Sequence, residues 1–234
     1  MDQNPHVGAI LLMGPPGAGK GTQAFRLAEQ FPNFVHFDTG GEIYRRVTDP
    51  HFVDDPLVQE QKEIYFGGKL NTPEWVAGLV AERIRFYSGK GQGVIFSGSP
   101  RTVYETQAVM PLLEEAYGKE QILVVALGVS LETITKRSRD RLVCRNNLCR
   151  YPAALADKGT PCPNCGKPLP AEQSEDEKWK WQGMETRFRE YRERTLPAID
   201  ILRAGYQTIA VDAEMSEEEI FAKISLAAHE KFKL

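Results

Sequence analysis

Residues 14–22 read Gly-Pro-Pro-Gly-Ala-Gly-Lys-Gly-Thr, and the fold that we predict is built outward from this stretch. A short apolar run at residues 7–13 precedes it and is typical of a buried strand, and residues 20 to about 30 are predicted to be helical. Glycines in such a turn let successive backbone N–H groups face one anion, and the helix N-terminus adds its positive dipole end. The pattern therefore predicts a polyphosphate-binding loop, with Lys20 as a mobile charge for the terminal phosphates.

The residue after the loop lysine departs from the usual pattern. Gly21 stands where such loops have Ser or Thr, and Thr22 comes one position later. The Thr22 hydroxyl can still reach a phosphate, but the side chain next to Lys20 offers no ligand for a metal. Because Mg²⁺ readily keeps water ligands, we expect it to be held mainly through water and phosphate oxygens.

The rest of the chain alternates short apolar runs with helical segments. Further strands are predicted at residues 34–37, 93–97, 121–129 and 207–211, and helices at residues 73–87 and 216–231. Ser216 and Glu219 have the spacing of a capping box. This order predicts an α/β fold: a doubly wound, three-layer P-loop domain with a parallel sheet.

Composition narrows the class of protein. A formal net charge of −3 argues against a general nucleic-acid binder, and the apolar runs are shorter than the roughly 18 residues that span a membrane. The N-terminus has no basic region ahead of its apolar run, so it does not resemble a signal peptide. We expect a cytoplasmic protein with no membrane partner.

Arginines follow the predicted strands at positions where ligands bind in parallel sheets. Arg101 comes directly after the third strand, Arg137 and Arg141 have helical i, i+4 spacing after the fourth, and Arg187 is predicted on a later helix. Taken singly, each would most simply be a surface residue. Together with a phosphate loop on the same sheet edge, they favour neutralisation of a transferring phosphoryl group.

The four cysteines lie in one surface insertion. Cys144 and Cys149 are followed by Cys162 and Cys165, and the second pair lies in a Cys-Pro-Asn-Cys-Gly turn that suits a tetrahedral zinc site. The first pair is looser, with four residues between the two thiols. The alternatives are four ordinary thiols or, less consistent with a reducing compartment, disulfides.

The motifs together resemble the adenylate kinase and nucleoside monophosphate kinase family over nearly the whole chain. Residues 14–23 resemble its ATP loop, Asp38-Thr39-Gly40 the start of its monophosphate-binding helices, and Gly68-Lys69-Leu70 their end. Residues 98–102 are similar to its Gly-Phe-Pro-Arg-Thr segment, and residues 187–191 to the helix after its lid.

The resemblance implies a core, a monophosphate-binding arm and a lid whose four cysteines hold structural zinc. It implies a core of residues 1–38, 73–142 and 180–234, an arm of residues 39–72 and a lid of residues 143–179. The implied catalytic cations are Lys20, Arg101, Arg141 and Arg187. The implied ATP contacts are Gly14, Gly17, Ala18, Gly19, Lys20, Gly21, Thr22, Arg137 and Arg141. The implied AMP contacts are Thr39, Gly40, Arg45, Lys69, Leu70, Asn71, Gly98, Arg101, Gln107 and Arg187.

Several positions depart from the family pattern. Ser97 stands where the family has an acidic residue that helps to order Mg²⁺, and Ser99 replaces its phenylalanine. The arm arginine is matched by Arg45 with one added residue, or by Tyr44 without it. The base-reading glutamine is matched by Gln107 with two added residues, or by Glu105 without them. The lid's Arg-x-Asp-Asp pattern is absent, and residues 174–177 (Ser-Glu-Asp-Glu) lie near its place.

By this resemblance we expect a monomeric enzyme that transfers the γ-phosphoryl group of ATP to AMP, with Mg²⁺ bound alongside ATP. One alternative is a kinase whose acceptor is UMP, CMP or a deoxynucleotide. The other, of a different class, is a regulatory protein that binds nucleotides with little turnover, which Ser97 and the missing lid arginine favour.

Overall fold

A computed structural model describes residues 7–146 and 148–233. The main sheet has five strands, all parallel, in the order β2-β3-β1-β4-β7. The strands are β1 (Ala9–Met13), β2 (Phe34–Phe37), β3 (Gly93–Phe96), β4 (Ile122–Gly128) and β7 (Thr208–Asp212). This sheet, covered by helices on both faces, confirms the predicted α/β fold class.

Helices connect and cover the strands. The helices are α1 (Lys20–Gln30), α2 (Thr39–Thr48), α3 (Pro56–Phe66), α4 (Pro73–Ser88), α5 (Val103–Tyr117), α6 (Leu131–Arg139), α7 (Glu175–Gln182), α8 (Met184–Glu190), α9 (Leu196–Gly205) and α10 (Glu217–Phe232). The predicted strand and helix ends lie within two residues of the observed ones. Ser216 and Glu219 form the predicted capping box at the start of α10.

The core lies on both faces of the sheet. Along β1, Ala9, Leu11 and Met13 pack into the cluster that includes residues of α4, α5 and α9, whereas Ile10 and Leu12 pack into the cluster with α1 and α10. Both sets are buried, as expected for a parallel strand between two helical layers. This packing fixes the carboxyl ends of the strands, where the phosphate loop lies.

Two segments project from this core. Helices α2 and α3 lie between β2 and α4, and a two-stranded antiparallel sheet of β5 (Arg141–Val143) and β6 (Pro152–Ala154) follows α6. Cys144, Cys149, Cys162 and Leu169 form a small buried cluster beside that hairpin.

The predicted placement of Arg141 on the helix after the fourth strand is wrong. Helix α6 ends at Arg139, and Arg141 is the first residue of β5. The chain leaves the helix at Asp140 because residue 141 pairs with Ala154 across the hairpin.

Within the described ranges, no helix combines the length and apolar character that crossing a membrane requires.

Candidate active site

The phosphate loop depends on its glycines for space and for backbone conformation. Gly14, Gly17 and Gly19 all have positive φ angles, of 143°, 81° and 87°. A β-carbon on Gly14 would lie 2.6 Å from the Leu127 carbonyl oxygen, and one on Gly17 would lie 2.9 Å from Cβ of Ile134. The loop can therefore take this path between β4 and α6 only with glycine at these positions.

Lys20 lies at the centre of a cluster of cations. Its Nζ donates hydrogen bonds to the carbonyl oxygens of Gly14 (2.8 Å) and Pro15 (2.7 Å). Burial lowers the pKa of Lys20 well below its ordinary value, and the positive charges of Arg101, Arg187 and Arg141 lower it further. The structure thus brings these four predicted cations close enough to interact, which favours binding of a polyanion among them.

Arg137 makes its contact with the loop after β7. It is on α6, and its Nη1 donates a hydrogen bond to the carbonyl oxygen of Ala213 at 2.8 Å. This bond ties α6, whose Ile134 lies against Gly17 of the phosphate loop, to the loop after β7.

A cavity opens beside the phosphate loop on the side of α2 and α3. Residues from the loop, α2, the segment before α4 and the end of β3 line it. Its lining residues are Pro16, Thr39, Gly40, Ile43, Tyr65, Gly68, Lys69, Leu70, Asn71, Val76, Gly98, Arg101, Glu105, Arg187 and Glu190. Eight of the ten predicted acceptor residues are in this set, so the cavity is the candidate acceptor site.

Two predicted acceptor residues lie outside the lining among the residues described. Arg45 Nη2 donates to Glu42 Oε2 at 2.6 Å, and Arg83 Nη2 donates to Glu42 Oε1 at 3.1 Å. Gln107 is exposed on α5. The ungapped alternative, Glu105, lines the cavity instead, because α5 begins at Val103 directly after the Arg101 segment.

Glu105 is buried at the base of this cavity. Its carboxylate accepts hydrogen bonds from the Arg101 amide (2.9 Å) and from the Thr102 hydroxyl (3.3 Å). Burial raises the pKa of Glu105, while these hydrogen bonds and the Arg101 charge oppose the rise. The cavity therefore carries a carboxyl group where the sequence suggested an amide.

Thr39 begins α2 and presents a hydroxyl to the cavity. The residue is buried, and its Oγ1 has no hydrogen-bond partner within the described part of the chain. A buried hydroxyl of this kind is costly unless a ligand satisfies it. Arg101 lies against the same turn, since a β-carbon on Gly98 would be 2.6 Å from Arg101 Nη2 and 3.5 Å from Thr39 Cβ.

Sequence reasoning missed two charged residues at this site. Asp38 ends the segment after β2, and although burial opposes its ionisation, His36, the Gly41 amide, Arg150 and Arg141 hold its pKa below the usual value. Glu190 accepts a hydrogen bond from the Leu70 amide at 3.2 Å and fixes the loop before α4. Both residues lie inside segments that carry the family resemblance, Asp38 in residues 38–40 and Glu190 in residues 187–191, so their positions were a usable signal.

Ser97 occupies the end of β3 beside the phosphate loop. Its Oγ lies 2.6 Å from Nε2 of His36; Ser97 is buried and His36 is partly exposed. Ser97 contributes no negative charge here, and the nearby carboxylate is that of Asp38, which directly follows the adjacent strand β2.

The four cysteines converge on one point. Their sulfur atoms all lie within 4.8 Å of one another, with Cys144 and Cys165 at 3.6 Å and Cys149 and Cys162 at 3.7 Å. A zinc ion with four Zn–S bonds of about 2.3 Å places its ligands about 3.8 Å apart. Asn164 also donates a hydrogen bond to Cys149 Sγ at 3.0 Å, as an outer contact that orients a ligand would. The donor set therefore fits a structural zinc site.

A glycine-rich phosphate loop, a cluster of cations and an adjoining polar cavity define a P-loop protein of the class that binds two phosphorylated ligands together. The adenylate kinase family model matches residues 12–206, and the chain belongs to that family.

Curated relatives extend over almost the full length of the chain. An adenylate kinase of Archaeoglobus fulgidus is 31% identical over 96% of this chain and 99% of its own. An adenylate kinase of Fervidobacterium nodosum is 31% identical over 90% of this chain and 93% of its own. One of Elusimicrobium minutum is 27% identical over 92% of this chain and 96% of its own.

Proposed function

We propose that this protein transfers the γ-phosphoryl group of ATP to AMP. The observation that carries the proposal is the meeting of Arg101, Arg141 and Arg187 around Lys20 of the phosphate loop, with Arg101 and Arg187 also lining the α2–α3 cavity. Membership of the family supports ATP-dependent nucleoside monophosphate phosphotransfer as the reaction. The names of the curated relatives support AMP as the acceptor.

On the donor side, the backbone amides of residues 14–22 surround the β- and γ-phosphates, and α1 directs its N-terminus at them. Lys20 exchanges its contacts with the loop carbonyls for phosphate oxygens. Arg137 and Arg141 complete the donor side, Arg137 from the base end of the site and Arg141 from the lid hairpin.

On the acceptor side, Thr39 and Gly40 bind the acceptor nucleotide at the N-terminus of α2. Arg101 approaches the same turn from the end of β3. Lys69, Leu70 and Asn71 enclose the nucleoside, with Asn71 held by Nδ2 hydrogen bonds to the Gln61 carbonyl oxygen (2.7 Å) and Oε1 (3.1 Å). Arg187 and Arg101 then neutralise the phosphates of the two substrates from opposite sides.

Catalysis in this arrangement depends on alignment and charge neutralisation. The loose transition state of phosphoryl transfer asks little of a general base, so no side chain has to abstract the acceptor proton beforehand. Mg²⁺ bound with ATP would supply further positive charge on the phosphates. Ser97 carries no charge, so Asp38 is the carboxylate beside Lys20 that would accept hydrogen bonds from the water ligands of Mg²⁺.

The four cysteines are proposed to hold a structural zinc ion that stabilises the lid. The lid cluster is too small to bury much apolar surface of its own, so a metal would provide the missing stabilisation. The division into a core, an arm (39–72) and a lid (143–179) and the monomeric state are likewise part of the proposal.

The test is a coupled assay of diphosphate formation with Mg-ATP and AMP, GMP, UMP, CMP and dTMP in parallel, with Lys20→Ala as the inactive control. Turnover on AMP that the variant loses would support the proposal. A preference for another base would leave the reaction class standing and replace the acceptor, and Glu105 in the cavity is the observation that makes this comparison necessary. ATP binding without turnover on any acceptor would favour a regulatory protein.

A further inference from the structure

We propose that Arg150, a lid residue, is a binding residue for the phosphate of the acceptor nucleotide; this inference rests on the proposed function. Arg150 follows Cys149 in the short loop before β6. No motif of the sequence singles it out. Its guanidinium group reaches out of the lid to the first turn of α2, on the arm.

Two arginines reach that turn, one from the core and one from the lid. A β-carbon on Gly40 would lie 3.9 Å from Arg101 Nη2, and one on Gly41 would lie 3.3 Å from Arg150 Nε. Gly40 and Gly41 are adjacent at the N-terminus of a ten-residue helix, and the atoms nearest to their two β-carbon positions are the Asp38 carboxylate oxygens, at 3.5 Å and 2.5 Å. The two guanidinium groups therefore meet at this turn beside a single carboxylate. Such a helix end already favours an anion, and each guanidinium can bind a phosphate through two N–H groups.

Two buried polar atoms at this turn remain unsatisfied. In the part of the chain that the structure describes, neither Arg150 Nε nor Thr39 Oγ1 has a hydrogen-bond partner. Thr39 is the first residue of this turn, and Arg150 approaches the turn from the lid. One phosphate group with several acceptor oxygens would satisfy both, and water would satisfy them less completely because both atoms are buried.

The arm holds Arg150 in this position. The guanidinium carbon lies 4.6 Å from the centre of the Tyr44 ring, and the negative charge of Asp38 faces Arg150. Arg150 itself has a φ angle of 51°, a conformation that side chains other than glycine rarely adopt. Asp38 balances only part of the positive charge here, since Arg101 and Arg141 also lie close by.

Tyr44 occupies the position at which ungapped alignment would place the family's arm arginine, and Arg45 is bound to Glu42. The arm therefore has the Tyr44 ring at this position, and the cation above that ring is Arg150 of the lid. A cation from the lid reaches the acceptor only when the lid is closed, so Arg150 would bind AMP only in the closed state that is competent for transfer.

The test is calorimetric binding of AMP and of adenosine to the full-length, zinc-loaded protein in the presence of a non-hydrolysable ATP analogue. Arg150→Ala should weaken AMP binding roughly 10- to 100-fold and change adenosine binding less than about threefold, because adenosine lacks the phosphate. Arg150→Lys should recover part of the AMP affinity. Arg145→Ala is the matched control, since Arg145 is in the same lid and donates to the Glu172 carbonyl oxygen.

Equal losses of AMP and adenosine binding in Arg150→Ala would overturn the proposal and leave Arg150 as a contact between lid and arm. Unchanged AMP binding would overturn it as well. If the wild-type protein neither binds nor phosphorylates AMP, the proposed function itself has failed, which differs from an active wild type with an unaffected variant.

Discussion

At the scale of single residues, Gly98 leaves the space that Arg101 occupies. The residue ends the segment after β3, and Arg101 folds back over it towards Thr39. The atom nearest to a β-carbon added at Gly98 would be the end of the Arg101 side chain, at 2.6 Å. A methyl group here would therefore move the guanidinium and leave the backbone in place.

We therefore predict that Gly98→Ala raises the KM for AMP at least about 10-fold, because it displaces a charge-assisted contact. The midpoint of thermal unfolding should change by only a few degrees. Gly78→Ala is the control: Gly78 is exposed within α4, a β-carbon there meets no atom within 4 Å, and the substitution should stabilise the protein by about 0.5–1 kcal/mol. An unchanged KM in Gly98→Ala would contradict the placement of Arg101 at the acceptor.

His36 predicts how stability depends on pH. Burial lowers the pKa of His36 to about 4, with the Asp38 charge opposing the shift, whereas the unfolded chain keeps the ordinary value of 6.5. The unfolded state therefore binds more protons as the pH falls from 7 towards 4, and stability decreases across that window. Protonation of His36 in the unfolded state should lower the free energy of unfolding by about 2 kcal/mol between pH 8 and pH 5.

Urea unfolding of the wild type and of His36→Gln at the two pH values measures this contribution. Gln can still form a hydrogen bond with Ser97 but takes up no proton. The unfolding free energy of His36→Gln should therefore decrease on acidification by about 2 kcal/mol less than that of the wild type. The same loss in both proteins would mean that His36 does not titrate in this window.

At the scale of secondary-structure elements, the capping box of α10 predicts a loss of stability without a loss of activity. Ser216 Oγ accepts the Glu219 amide hydrogen, and the Glu219 carboxylate accepts the Ser216 amide hydrogen. Ser216→Ala should cost about 1 kcal/mol of unfolding free energy and leave kcat unchanged, because α10 lies far from the cavity lining. The control Ser88→Ala, at a partly exposed position near the end of α4, should cost less than about 0.5 kcal/mol.

The lid hairpin makes a second prediction at this scale. We expect one zinc ion per chain, and its removal by a chelator, or the change Cys162→Ser, should expose residues 141–173 to proteolysis while the sheet remains folded. Limited proteolysis followed by mass spectrometry locates the cuts, and far-ultraviolet circular dichroism follows the core. Metal-free protein with four titratable thiols and a protease-resistant lid would contradict a structural zinc site.

The elements that could be predicted are those with a local cause. The turn at residues 14–22, the apolar runs and the Ser216–Glu219 spacing each specify their structure within a few residues, and all of them were found. Arg141 was misplaced because its pairing with Ala154 competes with continuation of the helix. The local periodicity of the sequence gives no information about that long-range pairing.

The parts of the candidate site that could not be predicted depend on contacts between distant segments. Gln107 and Glu105 were indistinguishable until the start of α5 fixed which of them faces the cavity. Arg150 reaches Tyr44 across more than a hundred residues of sequence, through a loop whose backbone conformation no motif specifies.

At the scale of the whole molecule, the loop before β6 joins the lid to the core and to the arm. Arg150 lies over Tyr44 of the arm, whereas Tyr151 packs against Phe25 of α1, with 5.1 Å between ring centres. Phe25 also packs against His36, at 4.7 Å. Pro152 lies beside Gly21: a β-carbon added to Gly21 would be 3.9 Å from Pro152 Cγ. Three consecutive residues thus hold the lid against the arm, against α1 and beside the end of the phosphate loop, where closure would keep water away from ATP.

This arrangement predicts that Phe25→Ala weakens lid closure more than it weakens the fold. The variant removes the core side of the contact with Tyr151, so the open lid should be populated more often and water should compete with AMP for the phosphoryl group. We expect the ratio of ATP hydrolysis to diphosphate formation to rise roughly 10-fold, with a lower kcat for transfer. Phe86→Ala removes an exposed ring on α4 and is the matched control. If Phe25→Ala lowers hydrolysis and transfer by the same factor, the contact serves stability alone, and the seating of the lid does not govern the exclusion of water.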